Sequence, residues 1–177
     1  MPTTVTWVEF NGSTAASSQG SGLATNLNFG NTDARNLNTA LYPIAAGAHS
    51  YAKFFKVQFS GNFTQISNGK LWLSAGALLS GESLKFSGSY TKITPATTAL
   101  PAVGSKVVPD IPTVQPATNN VCMPNTTVGV LPITGFSSPG YHSGSRTSML
   151  AFQLQTTSGI TAGPVNAKTI SLTYDRQ

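Results

Sequence analysis

Charge is the scarcest property of this sequence: only 8% of its 177 residues are Asp, Glu, Lys or Arg. Five carboxylates (Glu9, Asp33, Glu82, Asp110, Asp175), two histidines and one cysteine leave few groups able to act as general acid, base, nucleophile or metal ligand. The lone Cys122 excludes an internal disulfide framework, so packing has to supply the stability. No stretch approaches the roughly 18 consecutive apolar residues of a membrane-spanning helix, and no basic start followed by an apolar run marks a signal peptide. Helix-period patterning is also scarce. Ser, Thr, Asn and Gln are abundant, alongside an apolar fraction of 40% that includes nine Phe, five Tyr and two Trp. Disorder needs low hydrophobicity with high net charge, so this composition predicts a folded chain, and its length predicts one domain.

The ten basic residues outnumber the five acidic ones, for a net charge of +5. They are scattered from Arg35 to Arg176 with no run of three, whereas a nucleic-acid footprint clusters on one face. The expectation is therefore no direct contact with nucleic acid and none with membrane. A mild positive field would instead assist docking on an acidic assembly.

Apolar and polar residues alternate, as in a half-buried strand. Tyr51–Phe59 sets Tyr51, Phe55, Val57 and Phe59 against Lys56 and Gln58, with Phe54 an apolar exception on the second face. Lys70–Ala75, Ser83–Ile93, Ser148–Thr156 and Lys168–Asp175 repeat the pattern. Thr3–Phe10 is apolar on both sides and suits a strand covered twice. Asn11-Gly12 and Asn68-Gly69 are turn signals, the second predicting a hairpin between its flanking strands. A short helix is expected over Thr32–Leu41, from Asp33 near its start, the spacing of Leu37 and Leu41, and Pro43 beyond. Together these elements predict an all-β chain: an antiparallel β-sandwich, jelly-roll-like, with a Pro-rich extended excursion.

Residues 1–22 read as an N-terminal strand and a flexible Gly/Ser-rich connector, and 23–177 as a single sandwich domain. The first strand is expected to be mobile or to pair away from its own core, so that deleting Met1–Phe10 would leave a folded sandwich. The excursion, Thr94–Gly140, holds eight of the eleven prolines yet keeps Val103, Val107, Val108, Ile111, Val114 and Val121. Proline cannot donate to a central ladder, so this stretch is expected to be an edge strand, arm or ordered loop, lying against its own sandwich or a neighbouring subunit.

Catalytic motifs are weak. Ser-x-x-Lys occurs at Ser50–Lys53, Ser67–Lys70 and Ser89–Lys92, but on expected strands and turns rather than on the helix that penicillin-binding enzymes use. Gly140-Tyr141-His142-Ser143-Gly144 has the wrong spacing for a nucleophile elbow and reads as an exposed turn. The carboxylates offer ten conceivable glycosidase pairs, with no separation to choose among them. Metal-ligand spacing and a phosphate cradle are both missing, so no cofactor and no metal is expected. Three glycosylation triplets (Asn11, Asn62, Asn125) are what a chain rich in Ser and Thr contains by chance. Trp7, Trp72 and the tyrosines could stack sugars, but aromatics in alternating strands are more often core.

The run Asn26-Leu27-Asn28-Phe29-Gly30-Asn31-Thr32-Asp33-Ala34-Arg35-Asn36-Leu37, followed by Tyr42-Pro43-Ile44, Gly47 and Ser50-Tyr51-Ala52-Lys53, resembles small virion structural proteins of tailed bacteriophages. The closing strand Thr169–Tyr174 is similar too, and the match covers mainly residues 26–75 and the C-terminus. The resemblance implies a non-enzymatic β-sandwich that binds the outside of a capsid, typically as a symmetric oligomer. The expected role is a capsid decoration (cement) protein, made in bacterial cytoplasm and carried on the exterior of the virion. Its partner would be the major capsid protein, and it would form a homo-oligomer, with a trimer favoured. The alternative is a fibre or spike head, or a tail component, that binds a host-surface glycan. Contact residues are expected on the first strand (Val5, Trp7), the excursion (Val107, Val108, Ile111, Val114) and the turn near Tyr141, His142 and Arg146. Strand addition is the expected mode.

Overall fold

The computed structural model describes residues 4–12, 21–61, 63, 66–90, 93–101, 108–121, 130–131, 145–160 and 166–176, with backbone alone at 21–22, 130–131 and 145–146. The described residues form strands, turns and extended segments, without a helix. The strands are β1 (Thr4–Phe10), β2 (Ser21–Leu23), β3 (Lys53–Ser60), β4 (Ile66–Ala75), β5 (Glu82–Tyr90), β6 (Val130–Leu131), β7 (Ser145–Arg146), β8 (Met149–Thr156) and β9 (Thr169–Arg176). They build two antiparallel sheets. One runs β2-β1-β3-β8-β5, with β7 also on β3, and the other runs β6-β4-β9. The six long strands lie where the alternation puts them. The other three are two or three residues long, too short to show a period.

The two sheets share one apolar core. Phe55, Val57 and Phe59 of β3, Leu84 and Phe86 of β5 and Leu150, Phe152 and Leu154 of β8 pack with Leu71 and Leu73 of β4, and Ile170, Leu172 and Tyr174 of β9 close it. Phe152 is its hub, edge-on to Phe55 at 5.9 Å and tilted against Phe86 at 5.1 Å. The larger sheet is buried on its other face too. There Val8, Phe10, Ala52, Phe54, Met149 and Ala151 pack with Leu100 and Val108 of the Pro-rich stretch. This second core explains why Phe54 breaks the alternation and why β1 is apolar on both sides, with Val5 and Trp7 turned to the first core and Val8 and Phe10 to the second.

Three expectations are corrected. The first strand is not held apart from the core: β1 lies between β2 and β3 and pairs with β3 from Thr4↔Ser60 to Glu9↔Phe55, because both of its faces have apolar surface to bury. Asn68-Gly69 is not a hairpin turn. It sits inside β4, where the register against β9 jumps between Ser67 and Lys70, and Asn68 takes the left-handed conformation at φ 56°. One extra residue there reverses the parity of the strand, so that even-numbered Ile66 and odd-numbered Leu71 and Leu73 all face the core. The helix expected over Thr32–Leu41 is absent. The Leu37 side chain is buried, but Asn36 at φ 52° breaks any helical run beside it.

Candidate interaction surface

The stretch carrying the resemblance is folded as a clasp over the start of β3. Asn28 Nδ2 donates to Leu37 O (2.8 Å), Tyr51 N donates to Gly30 O (2.9 Å), and Asn31 N donates to Tyr42 O (3.2 Å). Gly30 has to be glycine, since a Cβ there would collide with the Leu37 side chain and the Tyr42 carbonyl. Beneath the clasp lies a buried ion pair. Lys53 Nζ meets Glu9 Oε1 at 2.7 Å, with the two side chains 3% and 0% exposed. Lys53 Nζ also donates to Ala34 O (3.0 Å), and Asn11 Nδ2 bridges Glu9 Oε1 (3.1 Å) to Asp33 Oδ1 (2.7 Å). Asp33 Oδ2 accepts from Gly12 N at 2.7 Å, fixing the chain as it leaves β1. Glu9 Oε2 is buried with no hydrogen-bond partner.

The other carboxylates join segments in the same way. Glu82 pairs with Lys168 at 2.9 Å, tying β5 to the entry of β9. Asp110 pairs with Lys85 at 2.9 Å, and Asp175 Oδ2 accepts from Asn68 Nδ2 at 3.0 Å across the bulge of β4.

The Pro-rich stretch lies on its own sheets wherever it is described. Gln153, fully buried on the outer face of β8, holds residues 96–100: its Nε2 donates to Thr98 O (2.8 Å) and Ser50 O (3.0 Å), and its Oε1 accepts from Leu100 N (2.9 Å). Tyr90 OH donates to Pro101 O at 2.7 Å. Burial pushes the Tyr90 phenol above its ordinary pKa of 10.0. The neutral phenol is thus favoured in the fold, and its contribution to stability is complete below pH 10.0 and lost as pH rises through the folded value. Tyr90→Phe is expected to flatten that alkaline loss, measured as urea stability against pH. An equal slope in the variant would refute the assignment.

Further on, residues 109–121 cover the free edges of both sheets. On β5, Phe86 N donates to Pro109 O (3.0 Å) and Ile111 N to Leu84 O (2.7 Å). On β4, Leu73 N donates to Pro112 O (2.8 Å), while Asn120 presents its side-chain amide as a strand would present a peptide, accepting from Leu71 N (2.8 Å) and donating to Leu71 O (2.7 Å). The prolines act here as acceptors only, which suits the outermost position of a ladder. A cleft of about 440 Å³ opens between β5 and this strap, lined by Phe86, Ser87, Ser89, Asp110, Asn119 and Asn120. Gly88 allows the approach, since a Cβ there would strike Asn120 O. Gly88→Ala is expected to cost about 1–3 kcal/mol through that overlap and to speed proteolysis within 109–121. An unchanged melt with unchanged cleavage would contradict the tight approach.

The β4–β9 sheet turns a polar outer face away from the core. Trp72, opposite Ser171, and Lys70, opposite Thr173, lie on it. Ser171 Oγ donates to Ser74 Oγ (2.7 Å), and Gln115 Nε2 from the strap donates to Thr173 Oγ1 (3.4 Å). Trp72 is half-buried there rather than core.

The residues expected to meet a partner are placed as follows. Val5 and Trp7 are half-buried against the first core, and Trp7 lies edge-on to Phe55 at 6.1 Å. Val108 and Ile111 are buried in the second and first cores, 8% and 3% exposed. Val114, at the strap's turn, is 73% exposed. The Arg146 backbone pairs with Gln58. Val107, Tyr141 and His142 lie outside the described residues, as do Cys122 and the triplet asparagines Asn62 and Asn125. The third triplet asparagine, Asn11, has its amide nitrogen engaged by Glu9 and Asp33. Sequence reasoning missed Gln153, Asn120 and the Glu9–Lys53 pair. The pair had a signal, because Lys53 shares the odd-numbered face of Phe55 and Val57, and Glu9 shares that of Val5 and Trp7. Opposite charges on two inner faces point to each other.

Comparison with models of protein families, with curated proteins and with solved structures finds no match in any of the three.

Proposed function

We propose that this chain is a non-enzymatic virion structural protein, a capsid decoration protein carried on the outside of the particle and bound to the major capsid protein as a homo-oligomer. The observation that carries the non-catalytic part is the use of the carboxylates: Glu9, Asp33, Glu82, Asp110 and Asp175 each join one segment of the chain to another. The virion part rests on the resemblance over residues 26–75 and the C-terminus, the first part of which forms the clasp over β3. The finer architecture proposed is a jelly-roll-like sandwich, supported by a chain that alternates between sheets from β3 to β4 to β5, with the Pro-rich stretch as an excursion sealing the edges.

Docking by so few charges is mostly apolar and backbone-mediated, hence weakly dependent on salt. Purified protein is expected to co-sediment with undecorated capsids and to remain bound in high salt. Failure to bind capsids, or release by salt alone, would remove the reading.

One observation favours a second reading, a fibre or spike head that binds a glycan. Trp72 lies on the outward face of β4, among Ser74, Ser171, Thr173 and Gln115, an aromatic surface bordered by neutral hydrogen-bonding groups. If that reading holds, the protein binds host cells rather than capsids, and Trp72→Ala lowers cell binding about tenfold or more with the melting temperature unchanged, as loss of one stacking aromatic predicts.

A further inference from the structure

Four long stretches of backbone could pair with another chain at the margins of these sheets, and three are covered over part or most of their length. The β5 edge is covered by Pro109–Ile111, the β4 edge by Pro112, Asn120 and β6, and β1 is shielded by β2, itself only three residues long. The fourth is the outer edge of β9. Among the described residues no strand or strap pairs with its backbone from Thr169 to Asp175, a run without a proline or glycine.

The direction of its backbone groups follows from β4. Leu71 turns its N–H and C=O to Asn120, and Leu73 turns its N–H to Pro112, so both point away from β9. In an antiparallel pair, residues opposite such positions also point away. Ile170, opposite Leu73, and Leu172, opposite Leu71, therefore present their N–H and C=O groups to the open edge. Edges this long are normally blunted by charge, proline or a bulge on the exposed side. Between Lys168 and Asp175 this one carries only Thr, Ile, Ser, Leu, Thr and Tyr.

We propose that the β9 edge is a homodimer interface, in which the β9 strands of two copies pair antiparallel about a twofold axis through Leu172. This register keeps the faces of the two copies matched and centres the apolar run on the axis. Leu172 meets Leu172 of the second copy, Ile170 meets Tyr174, and Ser171 meets Thr173, so each apolar residue stays on the core face and each hydroxyl on the outer face. A shift by one residue would oppose core-facing to solvent-facing side chains. At the ends of this register Thr169 meets Asp175 and Lys168 meets Arg176 of the second copy, and the Lys168 ammonium is already paired with Glu82. An isologous contact of this kind closes at two copies, which gives a twofold rather than a threefold particle component. The proposal does not depend on the virion reading, because dimerisation is read on purified protein and capsid binding on particles.

The test is sedimentation velocity over a concentration series. The wild-type chain is expected to move from 18.4 kDa to twice that mass. A double variant, Ser171→Lys with Thr173→Lys, places lysines opposite one another in the non-hydrogen-bonded pairs, where side chains are closest, and is expected to weaken the dimer about tenfold or more. The matching Ser171→Glu with Thr173→Glu variant is expected to stay monomeric alone and to form a mixed dimer with the lysine variant. Because both positions face outward, circular dichroism should be unchanged. Independently of any variant, amide exchange at Ile170 and Leu172 in the wild type should slow as concentration rises. A wild-type chain that stays at 18.4 kDa, a lysine variant that dimerises like the wild type, or concentration-independent exchange at those two amides would each overturn the interface.

Discussion

Lys53→Met is expected to destabilise the protein by about 3–5 kcal/mol, the cost of leaving a buried charge without its partner. Removal of the ammonium strands Glu9, whose Oε1 then keeps only the Asn11 amide and whose Oε2 already lacks a partner. It also frees the Ala34 carbonyl, so the clasp formed by residues 26–37 should loosen with the core. The ion pair itself adds little over a well-packed apolar pair, so Glu9→Leu combined with Lys53→Met is expected to recover most of the loss. Lys85→Met provides the contrast: its partner Asp110 is 59% exposed, and an exposed pair of that kind contributes at most about 1 kcal/mol. Urea unfolding of the four proteins checks the set. Equal losses for Lys53→Met and Lys85→Met would show that burial is not what makes the Glu9–Lys53 pair matter.

Deletion of Met1–Phe10 should abolish cooperative folding, the reverse of what the composition of that end suggests. β1 fills the position between β2 and β3, so its loss uncovers the full edge of β3 and detaches β2. It also removes Val8 and Phe10 from the second core and Glu9 from Lys53. Taking away one buried Phe alone typically costs about 3–5 kcal/mol, against a total of about 5–15 kcal/mol for a domain, so the deletion exceeds the margin several ways at once. A truncated chain that melts cooperatively near the wild-type temperature would show β1 to be an accessory arm after all.

These two results also mark where the sequence can and cannot be read. Alternation locates a strand wherever one face is wet, and β5 and β9 are legible for that reason; β8 is covered on both faces and shows the alternation only through the buried Gln153 on its outer one. Alternation also gave the hint of double coverage in β1, since Val5 and Trp7 are matched by Val8 and Phe10. It could not say what the cover is. Leu100 and Val108 lie in proline-rich surroundings that resemble linker, and only their burial beside Phe54 shows that they complete a core. Asn68-Gly69 misled because left-handed backbone serves a bulge as readily as a turn. Leu37 misled because a buried side chain beneath Gly30 imitates one turn of helical spacing. Of the expected contact residues, Val108 and Ile111 stand out as apolar among prolines, the same property that buries them. The open edge of β9 has no signature in the sequence, since what distinguishes it from β5 is that no segment among the described residues covers it in three dimensions.

The side-chain amide of Asn120, standing in for a peptide group on β4, would set the valence of the molecule under the β9 pairing proposed above. A sheet with two open edges can add copies without limit and grow into a filament, whereas one with a single open edge stops after one addition. By occupying the second edge from within the same chain, Asn120 and its proline neighbours would make the proposed β9 pairing terminate at two copies. An assembly component that must arrive in fixed number, and must not polymerise while it waits, gains directly from an edge sealed in this way.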